Sequence, residues 1–462
     1  MADMKNPALV VLLCAACTLI LDGFDIQAAG FAAPALVADL GVERAALGPA
    51  LAASLVGMAI GAAGIGALGD RWGRRNSLIL STALFGAATL LAASATSVMT
   101  LALWRLITGI GLGGALTTAT ALIAEFAPSR YRSLAIGGIQ VGVPVGGMIG
   151  AALAAELMPV HGWRSVFLVG GALPLLAAAI MYFVLPESPR FLAVRTHSAP
   201  KETIFSPQLR WDTAIVSLAF LTNMYAVYAF FSWAPLVLTS LGFELVTAVK
   251  GAFVFNVAGI AGVIAISWLI THFGSRRPLA ASALVGAAAL AWLAWFADAL
   301  PALMGGIAVA GAAISAVQVG MYTLAAHVFP TECRSSGIGW VLGAGRTGGI
   351  ASSLGGGLLL TLTGASGFFG CIAAVLTLTF VAVLSVRRQI IAWRLLPEPA
   401  PGTAESAVPD TRTADGSLRR LRRLRRRPRR SGRCSWRRWR RSLGAPSRAE
   451  PPCGLPTKGD PS

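Results

Sequence analysis

The sequence predicts an all-α membrane protein with twelve transmembrane helices, arranged as two six-helix halves. Of its 462 residues, 55% are hydrophobic and only 13% are charged. A soluble domain carries about 25% charged residues to cover its surface. Apolar runs long enough to span a bilayer recur along the chain. In addition, a charged motif occurs twice at one fixed interval, which indicates two related halves.

The apolar runs define the predicted spans, each end being approximate. They lie at residues 8–36, 47–68, 77–96, 99–124, 134–156, 164–185, 213–240, 250–271, 278–297, 301–326, 336–362 and 366–386. The first run is too long for a cleaved signal peptide and lacks its small-residue cleavage site.

Basic residues outside the spans predict the orientation, because cytoplasmic loops of membrane proteins are enriched in Lys and Arg. If the N-terminus is inside, the outer loops hold only Arg44, Arg164 and Lys250. The inner segments hold Lys5, Arg71, Arg74, Arg75, Arg130, Arg132, Arg190, Arg195, Lys201, Arg210, Arg276, Arg277 and Arg334. We therefore expect a multi-pass protein of the cell inner membrane with both termini in the cytoplasm.

One motif occurs twice, as EFAPSRYRSLAIG at residues 125–137 and as HVFPTECRSSGIG at residues 327–339. The interval between these two copies also separates the Arg74–Arg75 pair from the Arg276–Arg277 pair. Proteins built from such repeats bind their solutes near the bilayer midplane, between the repeats. The predicted domains are residues 1–186 (first half), 187–212 (cytoplasmic linker), 213–393 (second half) and 394–462 (basic tail).

The net charge of +18 belongs mostly to the C-terminal tail, in which runs such as LRRLRRLRRRPRR occur. Its Pro, Gly and like charges favour disorder over a packed domain. One interpretation is a tether to anionic lipid. The alternative, which we favour, is that the tail has no conserved role and reflects out-of-frame translation of GC-rich DNA. Because most of the net basic charge lies in the tail and not in the main body, we expect no nucleic-acid partner.

Two carboxylates stand out in LDGFDIQ, residues 21–27, within an apolar span. A charged side chain at the bilayer centre costs about 3 kcal/mol or more, so Asp22 and Asp25 require an explanation. Being three residues apart, they share one helix face. Two like charges in a dry site are not comfortably ionised together, which suits a site that carries a proton.

Two arginines also lie inside predicted spans, Arg105 in helix 4 and Arg346 in helix 11. We expect each to face a cavity rather than lipid. A structural salt bridge is the alternative for each.

Further candidates for a binding site are polar and aromatic. They are Asn223, Tyr225, Tyr228 and Trp233 in helix 7, Asn256 in helix 8, and Gln318 and Tyr322 in helix 10. Packing in the core, or an aromatic belt at the membrane interface, is the competing interpretation.

A charge cluster is predicted between helices 2 and 3, in GALGDRWGRR at 66–75. It supplies Asp70, Arg71, Arg74 and Arg75 as gating candidates, with topological anchoring as the alternative. Glu125 and His327 occupy equivalent positions at the inner ends of helices 4 and 10, as gate residues or helix caps. In the second half His272 stands where Asp70 does, so a symmetric acidic latch is not expected.

Glycines indicate where helices pack closely. GIGLGG at 109–114 lies within a membrane helix, so small-residue packing is favoured over a dinucleotide fingerprint. In helix 5, Gly138, Gly142, Gly146 and Gly150 form one smooth face against which another helix is expected to slide.

These motifs resemble those of a known family. The segment 66–75 is similar to the signature loop of the major facilitator superfamily. The D-G-F-D of helix 1, followed by IQAAGFAAPAL, resembles the hallmark of the aromatic acid:proton symporters. The resemblance covers about residues 8–386 and includes Trp233, Pro235 and the Arg346 segment.

The resemblance implies a proton-coupled secondary transporter that imports aromatic carboxylates, such as benzoate, hydroxybenzoates or phenylpropionates, by alternating access. Arg346 would hold the carboxylate and the helix-7 aromatics would contact the ring. Asp22, Asp25 and Arg105 would couple the proton. The alternatives are transport of another small solute, such as a sugar, an aliphatic acid or a drug, and a sensor that has kept a transport fold.

No catalytic triad, metal-ligand set or phosphate loop is recognisable in the sequence. We therefore expect no enzyme activity, no cofactor and no metal. The expected partners are an aromatic acid, protons and the lipid bilayer, and the expected state is a monomer.

Overall fold

A computed structural model of the chain describes residues 7–126, 138–188, 204–296, 300–330 and 333–390. Within these ranges the side chains of residues 66–71, 124 and 334–336 are outside the description. The predicted tail at 394–462, residues 189–203 of the predicted linker and residues 127–137 of the first motif copy also lie outside the described residues.

Helices account for most of the described residues, and no strand occurs among them. The first ten are α1 (Pro7–Leu40), α2 (Gly48–Trp72), α3 (Arg74–Ala92), α4 (Val98–Phe126), α5 (Gly142–His161), α6 (Arg164–Val184), α7 (Arg210–Ser240), α8 (Leu245–Phe273), α9 (Arg276–Phe296) and α10 (Leu300–Val328). A one-turn 3-10 helix, Arg44–Leu47, precedes α2.

The last helical stretch, Arg334–Ser385, contains two spans. Its 52 residues would extend about 78 Å as one helix, more than twice the ~30 Å hydrocarbon core of a bilayer. The stretch is interrupted at Gly364, whose φ of 68° and ψ of −170° are not helical. We number the segments before and after this glycine α11 (334–363) and α12 (365–385). The described residues thus contain twelve helical segments, as predicted.

Several predicted boundaries were wrong because helices continue past their apolar cores into polar residues. Helix α8 begins at Leu245 and not at residue 250, so Lys250 lies in a helix and not in a loop. The segment 66–75 is likewise not a loop, because α2 runs to Trp72 and α3 begins at Arg74. Gly73 alone separates them, with a φ of 95° that favours glycine.

The glycines of GIGLGG hold α4 against α2, as predicted. A methyl group on Gly109 or Gly113 would collide with the backbone of α2 at Ser54 or Met58. The second half repeats this contact, since Gly311 of α10 meets the backbone of α8. Such small residues let helix backbones approach closely in a membrane.

The glycine face of α5 packs within its own half. Gly146 lies against the carbonyl oxygen of Ile20 in α1, and in the second half Gly348 of α11 lies against that of Leu221 in α7. The two pairs occupy matching places in the repeat. Gly138, at the start of this face, borders open space.

The two halves meet through α1 with α7, α2 with α11, and α5 with α8. We call the end of the bundle at residues 40–48 the far end, and the end at residues 185–188 and 204–210 the linker end. Gly48 lies against the backbone of Leu354 at the far end, and Gly30 against that of Phe231 closer to the centre. The cavity described next lies between the halves.

Candidate functional site

A cavity of about 110 Å³ lies between the two halves. On this measure one water needs roughly 10–15 Å³, so the cavity admits several waters or a small one-ring solute. Helices α1, α2, α4 and α5 line it from the first half, and α7, α8, α10 and α11 from the second. A solute bound here would therefore contact both halves at once.

Asp22 and Arg346 are the two charged residues that line the cavity. Asp22, on α1, is buried, and its Oδ1 has no hydrogen-bond partner among the described residues. Arg346, on α11, is half-buried, and its Nη1 donates to the carbonyl oxygen of Met58 across the halves at 3.2 Å. The cavity thus holds one acidic and one basic group from opposite halves.

Aromatic rings form much of the remaining wall. Tyr228 and Phe231 of α7, Phe255 of α8 and Tyr322 of α10 all line the cavity. Phe231 packs edge-on against Phe255, with 5.8 Å between ring centroids, and against Tyr228 at 6.1 Å. Surfaces of this kind bind flat apolar rings well.

A polar stripe runs along α10, where Ser315, Gln318 and Tyr322 line the cavity. The Oε1 of Gln318 accepts a hydrogen bond from Nδ2 of Asn223, on α7, at 2.6 Å. Tyr322 and Gln140 also line the cavity. Gln140 comes from the first half, so this polar group also spans the two halves.

Asp25 and Arg105 form a separate buried group. Nη1 of Arg105 lies 2.7 Å from Oδ2 of Asp25, and its Nη2 donates to the Asp25 carbonyl oxygen at 3.2 Å. Thr89 donates to the other carboxylate oxygen of Asp25 at 2.7 Å. Asp25 is 0% and Arg105 1% exposed. The group joins α1 to α3 and α4.

The expectation that Asp22 and Asp25 share one site needs correction. Residues three apart on a helix differ by about 60° in direction. That difference directs Asp22 to the cavity and Asp25 to Arg105. The two carboxylates therefore have different partners.

Four of the eight candidates for the binding site line the cavity: Arg346, Tyr228, Gln318 and Tyr322. Asn256 does not line it and pairs with Gln27 of α1. Asn223 lies behind Gln318 and is fully buried.

Two others lie outside the cavity. The Tyr225 hydroxyl lies 3.8 Å from Cys371 Sγ of α12. Nε1 of Trp233 donates to the Ser352 carbonyl oxygen at 3.2 Å. Tyr225, Tyr228 and Trp233 point in different directions around α7, and only Tyr228 faces the cavity.

The sequence did not single out several lining residues, including Met58, Gln140, Phe231, Phe255 and Ser315. Most are apolar residues in apolar helices, where a cavity wall and a packed core have the same pattern. Gln140 could have been identified from the sequence, because it is an amide in a segment otherwise rich in Gly and Val.

Three of the six predicted gating residues, Arg74, Arg75 and Glu125, make contacts within the first half. Arg74 lies 3.5 Å from Glu125, and Nε of Arg75 donates to the carbonyl oxygen of Leu185 at 2.7 Å. These contacts tie α3, α4 and the end of α6 together within the first half. His327 is exposed near the end of α10. The side chains of Asp70 and Arg71 lie outside the described residues.

Twelve apolar helices in two matching halves, with a central cavity lined by one acidic and one basic side chain, are typical of a solute transporter of the membrane. The chain belongs to the Major Facilitator Superfamily, whose family model matches residues 15–299 and, in a second overlapping match, 251–445.

Named relatives agree with this assignment. The chain is 34% identical to a gallate transporter of Pseudomonas putida, over 77% of this chain and 86% of the relative. It is 34% identical to a 4-hydroxybenzoate transporter of Pseudomonas aeruginosa, over 76% and 86%. It is 31% identical to a 3-(3-hydroxy-phenyl)propionate transporter of Escherichia coli, over 79% and 90%. These relatives are transporters and not enzymes.

The fold is also that of solved transporter structures. The inward-open xylose transporter of E. coli superposes with a TM-score of 0.67 at 19% identity, over 86% of this chain and 98% of that one. The family model confirms the predicted superfamily, and this structural likeness confirms the predicted fold.

Proposed function

We propose that this protein is a proton-coupled secondary transporter that imports aromatic carboxylates. The observation that carries the proposal is the Arg346 guanidinium in a cavity walled by Tyr228, Phe231 and Phe255. An aromatic acid is one ring joined to one carboxylate, so its two parts match these two kinds of surface. The names of the relatives support the same class of substrate.

Arg346 binds the carboxylate in this account. A guanidinium presents a planar fork of N–H donors that matches the two oxygens of a carboxylate. The hydrogen bond to Met58 occupies one nitrogen, and Nε and Nη2 remain for a ligand. Because Met58 belongs to the first half, a substrate on Arg346 is also held at the contact between the halves.

The charges of the cavity favour the entry of a proton together with the substrate. With Asp22 ionised and Arg346 charged, the empty cavity is neutral. An added carboxylate would leave one uncompensated negative charge in a site poor in water, which is costly. A proton on Asp22 restores neutrality. We therefore infer that one proton enters with each carboxylate, so that the cycle moves no net charge.

Asp25 and Arg105 have a different role in this account. Each already has an opposite charge within 2.7 Å, so the pair is neutral without a transported proton. The pair holds α1 against α4 and keeps Asp22 directed at the cavity. The proton-coupling role expected for three residues is thereby assigned to Asp22, with Asp25 and Arg105 as positioning residues.

The contacts between the halves support alternating access as the mechanism. Gln27 of α1 and Asn256 of α8 exchange two hydrogen bonds, at 2.8 and 3.2 Å, between the cavity and the far end. At the linker end, α3 and α9 each begin with two arginines, Arg74 and Arg75 in α3 and Arg276 and Arg277 in α9. The positive-inside rule puts this end in the cytoplasm. We infer an inner-membrane monomer whose site faces the cytoplasm in this structure.

Counterflow in proteoliposomes tests the function. Vesicles preloaded with unlabelled 4-hydroxybenzoate should take up labelled 4-hydroxybenzoate transiently. External benzoate or 3-phenylpropionate should compete, whereas glucose and succinate should not. Competition by glucose or succinate, without competition by the aromatic acids, would contradict the proposed substrate class.

Cysteine labelling tests the orientation. In a cysteine-free background, Glu43→Cys should react with an impermeant maleimide added outside intact cells, and Phe205→Cys should react only after permeabilisation. Both positions are exposed, at opposite ends of the bundle. The reverse labelling would contradict the orientation.

A further inference from the structure

We propose that the polar stripe of α10, formed by Ser315, Gln318 and Tyr322, binds a hydroxyl group on the ring of the substrate. This inference rests on the proposed function and narrows it to ring-hydroxylated aromatic acids. Gln318 and Tyr322 would then determine specificity, and Asn223 would position Gln318.

The stripe is a continuous polar surface in the cavity. Residues 315, 318 and 322 are three and four positions apart, so they lie on one face of α10, and all three line the cavity. The carboxylate and the proton already have Arg346 and Asp22 as partners. A bare ring needs only the apolar and aromatic wall, so the stripe remains without a role for an unsubstituted acid.

Gln318 is held in one orientation from outside the cavity. Its Oε1 accepts from Nδ2 of Asn223 at 2.6 Å, and Asn223 is fully buried on α7. The acceptor end of the Gln318 amide is therefore engaged, which leaves its NH₂ group for Tyr322 and a ligand.

Tyr322 is fixed as well. Its ring packs edge-on against Phe220, with 5.5 Å between the centroids. Its side chain lines the cavity together with Gln318 and Gln140. A phenolic hydroxyl both donates and accepts, so it can pair with the donors of an amide and with a tyrosine hydroxyl. The stripe thus presents preorganised partners for one such group.

The polar stripe discriminates between ligands with and without a ring hydroxyl, because its polar groups lose their water when a ligand enters. A bare ring, or a methyl group in place of the hydroxyl, would dehydrate Gln318 and Tyr322 without replacing the lost hydrogen bonds. Sites that hydrogen-bond a substrate hydroxyl reject analogues that lack it far more strongly than apolar sites reject a change in size. We expect a preference of about tenfold or more for a hydroxyl over a methyl group.

The experiment compares competitors of similar size in the counterflow assay. Benzoate, 4-methylbenzoate and the 2-, 3- and 4-hydroxybenzoates compete with labelled substrate, and each half-inhibitory concentration is measured. In the wild type, at least one hydroxybenzoate should compete about tenfold better than benzoate and 4-methylbenzoate.

Two substitutions on α10 should remove this preference selectively. Tyr322→Phe removes one hydroxyl, and Gln318→Leu removes the amide. Each should reduce the preference for the hydroxybenzoate over benzoate to about threefold or less, because the ring hydroxyl loses a partner and benzoate no longer dehydrates that group. Asn223→Leu should act in the same direction although it does not line the cavity. A merely structural defect would weaken all competitors alike.

Tyr225→Phe is the matched control. It deletes the same hydroxyl from another tyrosine of the second half, one that faces Cys371 and not the cavity. It should keep the wild-type ratio. If Gln318→Leu does not insert, Tyr322→Phe decides the question alone, since it removes a single oxygen atom.

An equal response to hydroxyl and methyl in the wild type would overturn the inference and leave the proposed function standing. So would an unchanged ratio in Tyr322→Phe. A protein that binds none of the aromatic acids would overturn the proposed function, and this inference with it.

Discussion

Asp25 accepts a 2.7 Å hydrogen bond from Arg105 in the buried interface between α1 and α4. One turn earlier on the same helix, Asp22 faces the cavity with a carboxylate oxygen that has no partner among the described residues. Two acids that look equivalent in the sequence therefore differ in what neutralises them. Asp25 has a counter-ion at hydrogen-bond distance, whereas Asp22 shares its cavity with Arg346, the proposed partner of the substrate carboxylate.

The buried pair should matter for stability more than for coupling. Asp25→Asn would leave the Arg105 guanidinium buried without its counter-ion, and breaking a buried pair in this way costs about 3–5 kcal/mol. We expect a lower unfolding temperature in detergent and less protein in the membrane. Exchange and accumulation, measured per molecule inserted, should fall together.

The control for this prediction is the exposed pair of Asp39 and Arg164, which lies 3.0 Å apart with side chains 43% and 44% exposed. Asp39→Asn should change the unfolding temperature little, because exposed pairs contribute little. If Asp25→Asn melts like the wild type, the pair does not anchor α1.

Replacing Arg346 by lysine should weaken substrate binding although the charge is kept. An ammonium group is a point charge and does not reproduce the parallel hydrogen bonds of a guanidinium fork. We expect the half-saturation concentration for counterflow to rise about tenfold or more. Arg276→Lys is a suitable control, since Arg276 donates to the Leu384 carbonyl oxygen away from the cavity. Unchanged half-saturation in Arg346→Lys would give Arg346 a purely structural role.

The amide pair of Gln27 and Asn256 should act as a latch between the halves. Both side chains are 1% exposed, and Gly147 leaves the space that they occupy. In the proposed cycle this contact breaks when the far end opens. The double substitution Gln27→Leu and Asn256→Leu removes the hydrogen bonds without leaving one amide unpaired, and should populate the outward-open state.

A cysteine in place of Leu47 measures that population. Leu47 is 1% exposed in the 3-10 helix that packs against α11 at the far end. Maleimide labelling from outside should be several-fold faster in the double variant than with Gln27 and Asn256 intact. Thr222→Val, which removes a 2.9 Å hydrogen bond between α7 and α12 of one half, should leave labelling unchanged. Equal labelling in all three backgrounds would exclude a latch here.

The fold was largely predictable because one physical constraint dominates it. Every backbone polar group in a membrane must be satisfied within the protein, so long apolar runs become helices. The repeat of the Arg74–Arg75 pair at Arg276–Arg277 then indicated the two halves. Helix ends were less predictable, as Lys250 shows, because a helix continues into polar residues once it leaves the hydrocarbon.

The site was only partly predictable. Charged residues in apolar spans are conspicuous, so Asp22 and Arg346 could be identified before the structure was known. Their partners could not, because the assignment of Asp25 to Arg105 depends on the rotation of α1 relative to α4. Trp233 and Tyr228 differ in the same way, since both are aromatic residues of α7 but only Tyr228 lines the cavity.

The central claim is that Asp22 carries the proton that balances the charge of the substrate. Asp22→Asn leaves a loaded cavity in which Arg346 and the substrate carboxylate still cancel. Exchange of substrate should therefore survive. The empty cavity, however, would keep the charge of Arg346 without a counter-charge. The return of the empty transporter, and with it net uptake, should fail.

The decisive measurement is net accumulation of labelled 4-hydroxybenzoate in proteoliposomes, with the signal of protein-free liposomes subtracted. The wild type should accumulate substrate when the inside is alkaline, and a potassium-diffusion potential alone should drive none. Asp22→Asn should show exchange but no accumulation. Accumulation driven by the potential alone, or wild-type accumulation in Asp22→Asn, would contradict the account.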